Sequence, residues 1–520
     1  MKIEIFDSTL RDGAQGEGVS FSVEDKLKIL TALDNFGIDF VEAGTPASNP
    51  KDLEFFHEAK KLNLKTSKLV AFGSTKRKGL SPEEDEGCNA LLSAETDYIV
   101  VFGKSYDFHV ECILQTTLEE NLYMIFDTVK YLVGKNKKVI FDAEHFFDGY
   151  KANKNYAVDT IIAAEKAGAE TIVLCDTNGS CFPDEIAFIT SAVCGITNTK
   201  IGIHCHNDTG CAVANSIAAV RRGAVHVQGT FVGIGERCGN ANLSTLIPDL
   251  QLKLGYACVP EEAMPHLTET AQFIAEVTNI RLARNLPYVG GSAFSHKGGM
   301  HIDGVAKDPK TFEHIEPEKI GNERNILLSE VSGRSALLSK IKKIIPDFDK
   351  NDEVIIRLTD IIKSLEHNGY QFEAANASFE LLVLKELGKF TPFFEIVDFE
   401  IVSTFSALAK ATVTIRVGDK VETAFDEGEG PVNAVDKALR KALEMFYPVI
   451  KKMWLTDYKV RIINGSAHTA AITRVLIESN DGKHSWTTVG ASDNIISASI
   501  IALTDSLEYM LYKENAHGNN

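Results

Sequence analysis

A chain of 520 residues, 44% of them hydrophobic and with mean hydropathy near zero, exceeds a single core and is expected to form two to four globular domains. Its formal charge of −18 repels phosphate backbones and anionic surfaces, which argues against nucleic-acid and membrane partners. All nine cysteines fall between residues 88 and 258 with no Cys-x-x-Cys pair, no apolar run reaches the ~18 residues of a membrane span, and Met1 to Asp7 enter a strand without a leader-like segment, so a reduced, cytoplasmic protein is expected.

In chain order, β-rich runs at residues 3–7, 39–44, 67–73, 97–102, 138–144, 170–176, 200–206 and 226–231 alternate with segments of helical periodicity. Examples are Val23 to Phe36 and Ala157 to Ala167, which Gly37 and Gly168 would terminate. Eight strand–helix units fit a closed parallel (β/α)8 TIM barrel over residues 1–255 better than an open doubly wound sheet. In such a barrel the carboxyl ends of the strands share one mouth. Here those ends carry Asp7 to Gln15, Glu42, Asp142 and Glu144, Asp176 to Asn178, His204 and His206, and Gly233 to Asn240. Alternate residues of a strand face one side, so His204 and His206 aim both imidazoles at one point. That arrangement suits a metal, although an isolated pair of this kind is more often a hydrogen-bonded histidine pair. Glu42 or Asp176 alone could be a buried ion-pair or turn residue. Gly233, Gly235 and Gly239 lack the spacing of a dinucleotide fingerprint.

Beyond residue 255 the alternation gives way to a mainly helical stretch, 256–391. Within it Ser295 to Gly304 combines glycines with His296 and His301, and reads as an active-site cover or a mobile surface loop. Residues 392–520 run strands then helix, twice, with Gly430 and Gly490 opening the helices, an internal repeat that gives the chain an α+β carboxyl-terminal domain. Such a domain suits dimerisation, or sensing of a small ligand whose anionic group meets the helix amino termini.

Phe6 to Gln15, His204 to Asp208 and Gly233 to Asn240 together resemble the signatures of the DRE-TIM metallolyase superfamily, in its 2-isopropylmalate, homocitrate and citramalate synthase branch. Glu17 to Ser22, Ala71 to Thr75, Asp142 to Tyr150 and Leu174 to Gly179 are most similar to the long bacterial citramalate synthases, and Thr488 to Ile495 resembles the family's allosteric and dimerisation domain. The resemblance implies an acyltransferase that condenses acetyl-CoA with pyruvate, in isoleucine biosynthesis. It implies a divalent metal, Mg²⁺, Mn²⁺ or Zn²⁺, held by Asp12, His204, His206 and Asn240, with two positions left for a 2-oxo acid. Arg11 would stabilise the developing alkoxide, Thr177 would hold the substrate carboxylate, and Glu144 and His301 would handle the methyl proton, His301 acting in a partner subunit's barrel. A homodimer and an isoleucine effector site in the carboxyl-terminal domain are implied as well. Asp303 and Gln15 are secondary candidates, and Lys76-Arg77-Lys78 is a possible phosphate patch for coenzyme A, although a solvated loop is the plainer reading.

Two departures bear on substrate preference. Gly44 to Ser48 replaces a Trp-containing loop with one closer to isopropylmalate synthases, and Phe312 stands where relatives place a Tyr. The alternative is therefore a 2-isopropylmalate or homocitrate synthase acting on a larger 2-oxo acid. From other classes come an Fe(II) oxygenase built on two histidines and a carboxylate, and a non-catalytic amino-acid sensor.

Overall fold

The computed structural model describes residues 1–327, 334–346, 348, 352–405, 407–463, 471–482 and 484–518. The chain divides into two compact units, residues 1–294 with 315–324, and residues 295–314 with 325–520.

The first unit is the expected barrel. β1 (Glu4–Asp7), β2 (Phe40–Glu42), β3 (Lys68–Ser74), β4 (Tyr98–Lys104), β5 (Lys138–Glu144), β6 (Thr171–Asp176), β7 (Lys200–Cys205) and β8 (His226–Gly229) form a closed sheet in sequence order. Every neighbouring pair is parallel, and β1 closes on β8 through Phe6 opposite Gln228 and Asp7 opposite Gly229. Phe6, Phe40, Val70, Tyr98, Val100, Ile140 and Val173 form a buried cluster of strand residues, so the barrel is a packed core rather than a pore. Local chemistry sets the helices: Ser22 and Asp25 make a reciprocal capping box at the start of Val23–Phe36, and Gly37, at φ 91°, stops it. β7 is one residue shorter than expected. His206 follows it and bridges to Asn240, because the returning Gly233–Asn240 loop supplies the next pairing partner.

In the second unit, three antiparallel strands, Glu395–Thr404, Ala407–Val417 and Lys420–Gly428, precede the helix Pro431–Glu444. Three more, Trp454–Ile462, Thr473–Asn480 and Ser485–Ser492, precede the helix Ile495–Gly518. The repeat is real, but its second helix opens at Ile495, and Gly490 lies inside a strand. The equivalent residues are Gly428 and Gly490: a Cβ at either would sit 2.5 Å from Ala434 N or 2.0 Å from Ala498 O of the following helix, so the strand and helix can approach only at glycine. Ile495–Asn515 is long and apolar enough by composition to cross a membrane, at mean hydropathy 1.2 over its best window, against expectation. That window is 61% buried, as befits a core helix lying on its sheet.

Ser295 to Gly304 is not a loop throughout. Gly299–Lys307 is helical, burying Ile302 and Val305 at i, i+3 spacing, and Ser295–His296 pairs in parallel with Asn325–Ile326. Parts of the helical stretch after residue 327 lie outside the described residues.

Candidate functional site

The mouth of the barrel holds a cavity of about 230 Å³ lined by Arg11, Asp12, Gln15, Phe72, Phe102, Asp142, Glu144, Cys175, Thr177, His204, His206, Glu236 and Arg237. Asp12 sits in the turn after β1, and its Oδ2 lies 3.6 Å from His204 Nε2 and 3.9 Å from His206 Nε2. The two Nε2 atoms are 3.3 Å apart. One donor atom from each of Asp12, His204 and His206 falls within 4.8 Å of the others, all three residues being buried.

Asn240 joins them because its loop doubles back. Gly239 adopts φ 82°, and a Cβ there would lie 2.0 Å from Gly233 O, so the return is open only to glycine. Asn240 Nδ2 donates to Asp12 Oδ1 at 3.1 Å, while its buried Oδ1 has no donor.

An orphaned amide oxygen, a carboxylate and two imidazoles around one point fit a divalent cation. The electrostatics agree. Burial would raise the Asp12 carboxyl, but the Arg11 charge and both histidines hold it down to about 2. Burial pushes His204 below the usual imidazole range and, with His204 beside it, brings His206 to about 4. At neutral pH the set is therefore one carboxylate and two neutral imidazoles, the ligating forms.

Arg11 is held rigidly. Its Nε donates to Glu42 Oε2 at 2.6 Å, Nη1 donates to Asp12 Oδ2 at 3.1 Å, and its guanidinium carbon lies 3.9 Å from the Phe72 ring centre. Glu42 also accepts from Ser8 Oγ at 2.6 Å. Glu42 is thus a buried ion-pair residue, one of the two readings open for it. Deeper in, Asp142 accepts from Gln228 Nε2 at 3.1 Å, and burial, with the Glu42 charge adding to it, pushes its carboxyl well above the usual range.

Thr177 and Glu144 reach the same cavity. Thr177 Oγ1 accepts the backbone N–H of His145 at 2.9 Å, which leaves its own hydroxyl proton free to donate. Glu144 pairs with Lys104. The next residue, His145, stands at φ 56°, a left-handed conformation unusual for a side-chain-bearing residue, and its Nδ1 meets Asp148 Oδ2 at 3.1 Å.

Among the expected residues, Arg11, Asp12, Glu144, Thr177, His204 and His206 all line this cavity, with Asn240 on Asp12. His301 belongs to the second compact unit, where it is exposed and stacks on Phe312 with ring centres 4.0 Å apart. Asp303 is engaged by Lys307 at 2.6 Å. Lys76 turns inward, with Nζ donating to Leu80 O and pairing with Asp127, so it is not part of an open cationic patch. Phe72, Phe102, Lys104 and Gln228 were not anticipated. Phe72 lay within the Ala71 to Thr75 stretch but was given no role, Phe102 and Lys104 end β4, where an apolar residue and a lone lysine carried no motif, and Gln228 is a mid-strand residue whose inward direction was the single available signal.

Residues 2–274 match the HMGL-like family, residues 288–369 the homocitrate synthase post-HMGL domain-like family, and residues 373–511 the LeuA allosteric (dimerisation) domain. The (R)-citramalate synthase of Aquifex aeolicus is 51% identical over 99% of this chain and 99% of its own. That of Geobacter sulfurreducens is 47% identical over 98% of each. The 2-isopropylmalate synthase of Methanocaldococcus jannaschii stands further off, 30% identical over 98% of this chain and 95% of its own. The chain belongs to the HMGL-like family of TIM-barrel enzymes and, within it, to the (R)-citramalate synthases.

Proposed function

We propose that this chain condenses acetyl-CoA with pyruvate and hydrolyses the thioester to give (R)-citramalate and coenzyme A, at the start of a pyruvate route to isoleucine. The observation that carries the reading is the convergence of Asp12, His204, His206 and the unpartnered Asn240 Oδ1 beside Arg11. These four residues would hold Mg²⁺, Mn²⁺ or Zn²⁺. When bound, such an ion supplies Lewis-acid polarisation of the 2-oxo acid's ketone.

The protein's own groups do the rest. Glu144, placed beside Lys104, takes a methyl proton from acetyl-CoA, and the carbon so exposed bonds to the ketone carbon of pyruvate. Arg11, its planar fork fixed by Glu42 and Asp12, stabilises the oxygen that becomes negative before it is protonated. The Thr177 hydroxyl donates to the pyruvate carboxylate. Water then cleaves the thioester, releasing the thiol. The rings of Phe72 and Phe102, 5.2 Å apart and stacked, form an apolar part of the cavity wall that would face the side chain of the 2-oxo acid.

Residues 1–255 form the catalytic part, 256–391 the connecting helical part and 392–520 the part that dimerises and binds isoleucine as effector. His301 completes the barrel of a partner subunit, and the enzyme works in the cytoplasm. A panel of 2-oxo acids with Mn²⁺, read by released thiol, tests the assignment: pyruvate is expected to exceed 2-oxoisovalerate by at least about tenfold, at ~1–3 kcal/mol per methylene-sized step. The reverse order would make the chain a 2-isopropylmalate synthase. Mixing Arg11→Ala with His301→Ala subunits should restore activity that neither possesses alone.

A further inference from the structure

Three buried groups stand in line behind the cation site. Asp142 Oδ1 is 3.1 Å from Gln228 Nε2, and Gln228 Oε1 is 2.9 Å from His204 Nδ1. Gln228 is fully buried, and Asp142 and His204 are nearly so, each 4% exposed. We propose that Asp142 and Gln228 are positioning residues that fix His204 as its Nδ1–H tautomer, so that Nε2 always presents a lone pair to the cation. The inference rests on reading Asp12, His204, His206 and Asn240 as the cation's ligands.

The direction of the chain follows from donor and acceptor inventory. Asp142 offers an acceptor oxygen, so the Gln228 amide turns its NH₂ to Asp142 and its carbonyl to His204, which must then carry the proton on Nδ1. Burial favours a proton on this carboxyl, and with that proton on Oδ2 the Oδ1 atom still accepts from Gln228; reversing the amide would set Gln228 Oε1 against that Oδ1, two acceptors 3.1 Å apart. Each of Asp142, Gln228 and His204 comes from a different strand, β5, β8 and β7, so the order of the closed sheet itself lines them up.

The test reads the tautomer directly. In chelator-treated wild-type protein labelled with ¹⁵N-histidine, the ring resonances assigned with His204→Gln should show His204 protonated on Nδ1. A proton on Nε2 would overturn the proposal. In Asp142→Leu and Gln228→Leu the signal should shift to a mixture of tautomers, and Mn²⁺ affinity, measured by the paramagnetic resonance of free Mn²⁺, should fall about 10- to 100-fold. Variants that keep the wild-type tautomer and affinity would sink it. If wild-type protein binds no Mn²⁺, the ligand reading fails, while the tautomer measurement still decides the positioning role.

Discussion

The barrel and the carboxyl-terminal sheets treat apolar surface in opposite ways. Strands β6 and β8 are buried at every residue, whereas Val402, Leu408, Val421 and Phe425 of the first carboxyl-terminal sheet are 45–56% exposed. The register puts these four on one face with Lys410 and Thr412, opposite the face on which Ala411, Val413 and Ile415 are buried. A sheet closed on itself has no edge and no outer apolar face left over, so its charged residues collect at the strand ends, where they can do chemistry. A three-stranded sheet with one helix has a second face to cover, and a surface of that kind suits association with another copy.

Breaking the barrel side of this contrast should have the largest effect. Arg11→Ala leaves the strands intact and is expected to lower kcat about 10³-fold, close to 4 kcal/mol of transition-state stabilisation, with little change in the circular dichroism of the fold. Activity near wild type would remove Arg11 from the mechanism.

Next comes, among the described residues of the second unit, a strongly perturbed carboxyl that faces backbone donors. Glu508 is 2% exposed, accepts the N–H groups of Phe393 and Phe394, and is pushed by burial from 4.5 to about 7. Because the folded value is raised, the stabilisation from its proton is complete below pH 4.5 and is lost as pH rises through about 7. Urea titrations should show that loss, on the order of 3 kcal/mol from 1.36 kcal/mol per pKa unit, and Glu508→Gln should flatten the slope. An unchanged slope would place the carboxyl in a wetter setting.

The exposed sheet face gives the smallest expected change. Phe425→Lys with Val421→Lys should weaken self-association about tenfold in sedimentation and leave the barrel's melting unaltered. An unaffected oligomer would mean that another surface holds it together.

Much of the barrel was legible because short, apolar β-rich runs ending in polar residues repeat eight times, and helix stops such as Gly37 carry their own chemistry. His204 and His206 were legible as a pair because strand alternation is a local property. Gly490 was misplaced because a glycine before a helix can cap it or let the strand approach it, and the nearest atom, Ala498 O, lies eight residues on. Gln228 was illegible. Nothing local distinguishes a mid-strand glutamine that bridges Asp142 and His204 from one that fills space.

The sequence by itself determined the strand–helix alternation, the mouth-facing motifs, the repeat and the family resemblance, since these depend on periodicity and on neighbours within a few residues. The tertiary structure alone decided that Asn240 returns to Asp12, that Arg11 is clamped by Glu42, and that Asp142 reaches His204 through Gln228. Those contacts join residues 31 to 228 positions apart, except that Gln228 and His204 are 24 apart on adjacent strands, and only closure of the sheet brings them within hydrogen-bonding distance.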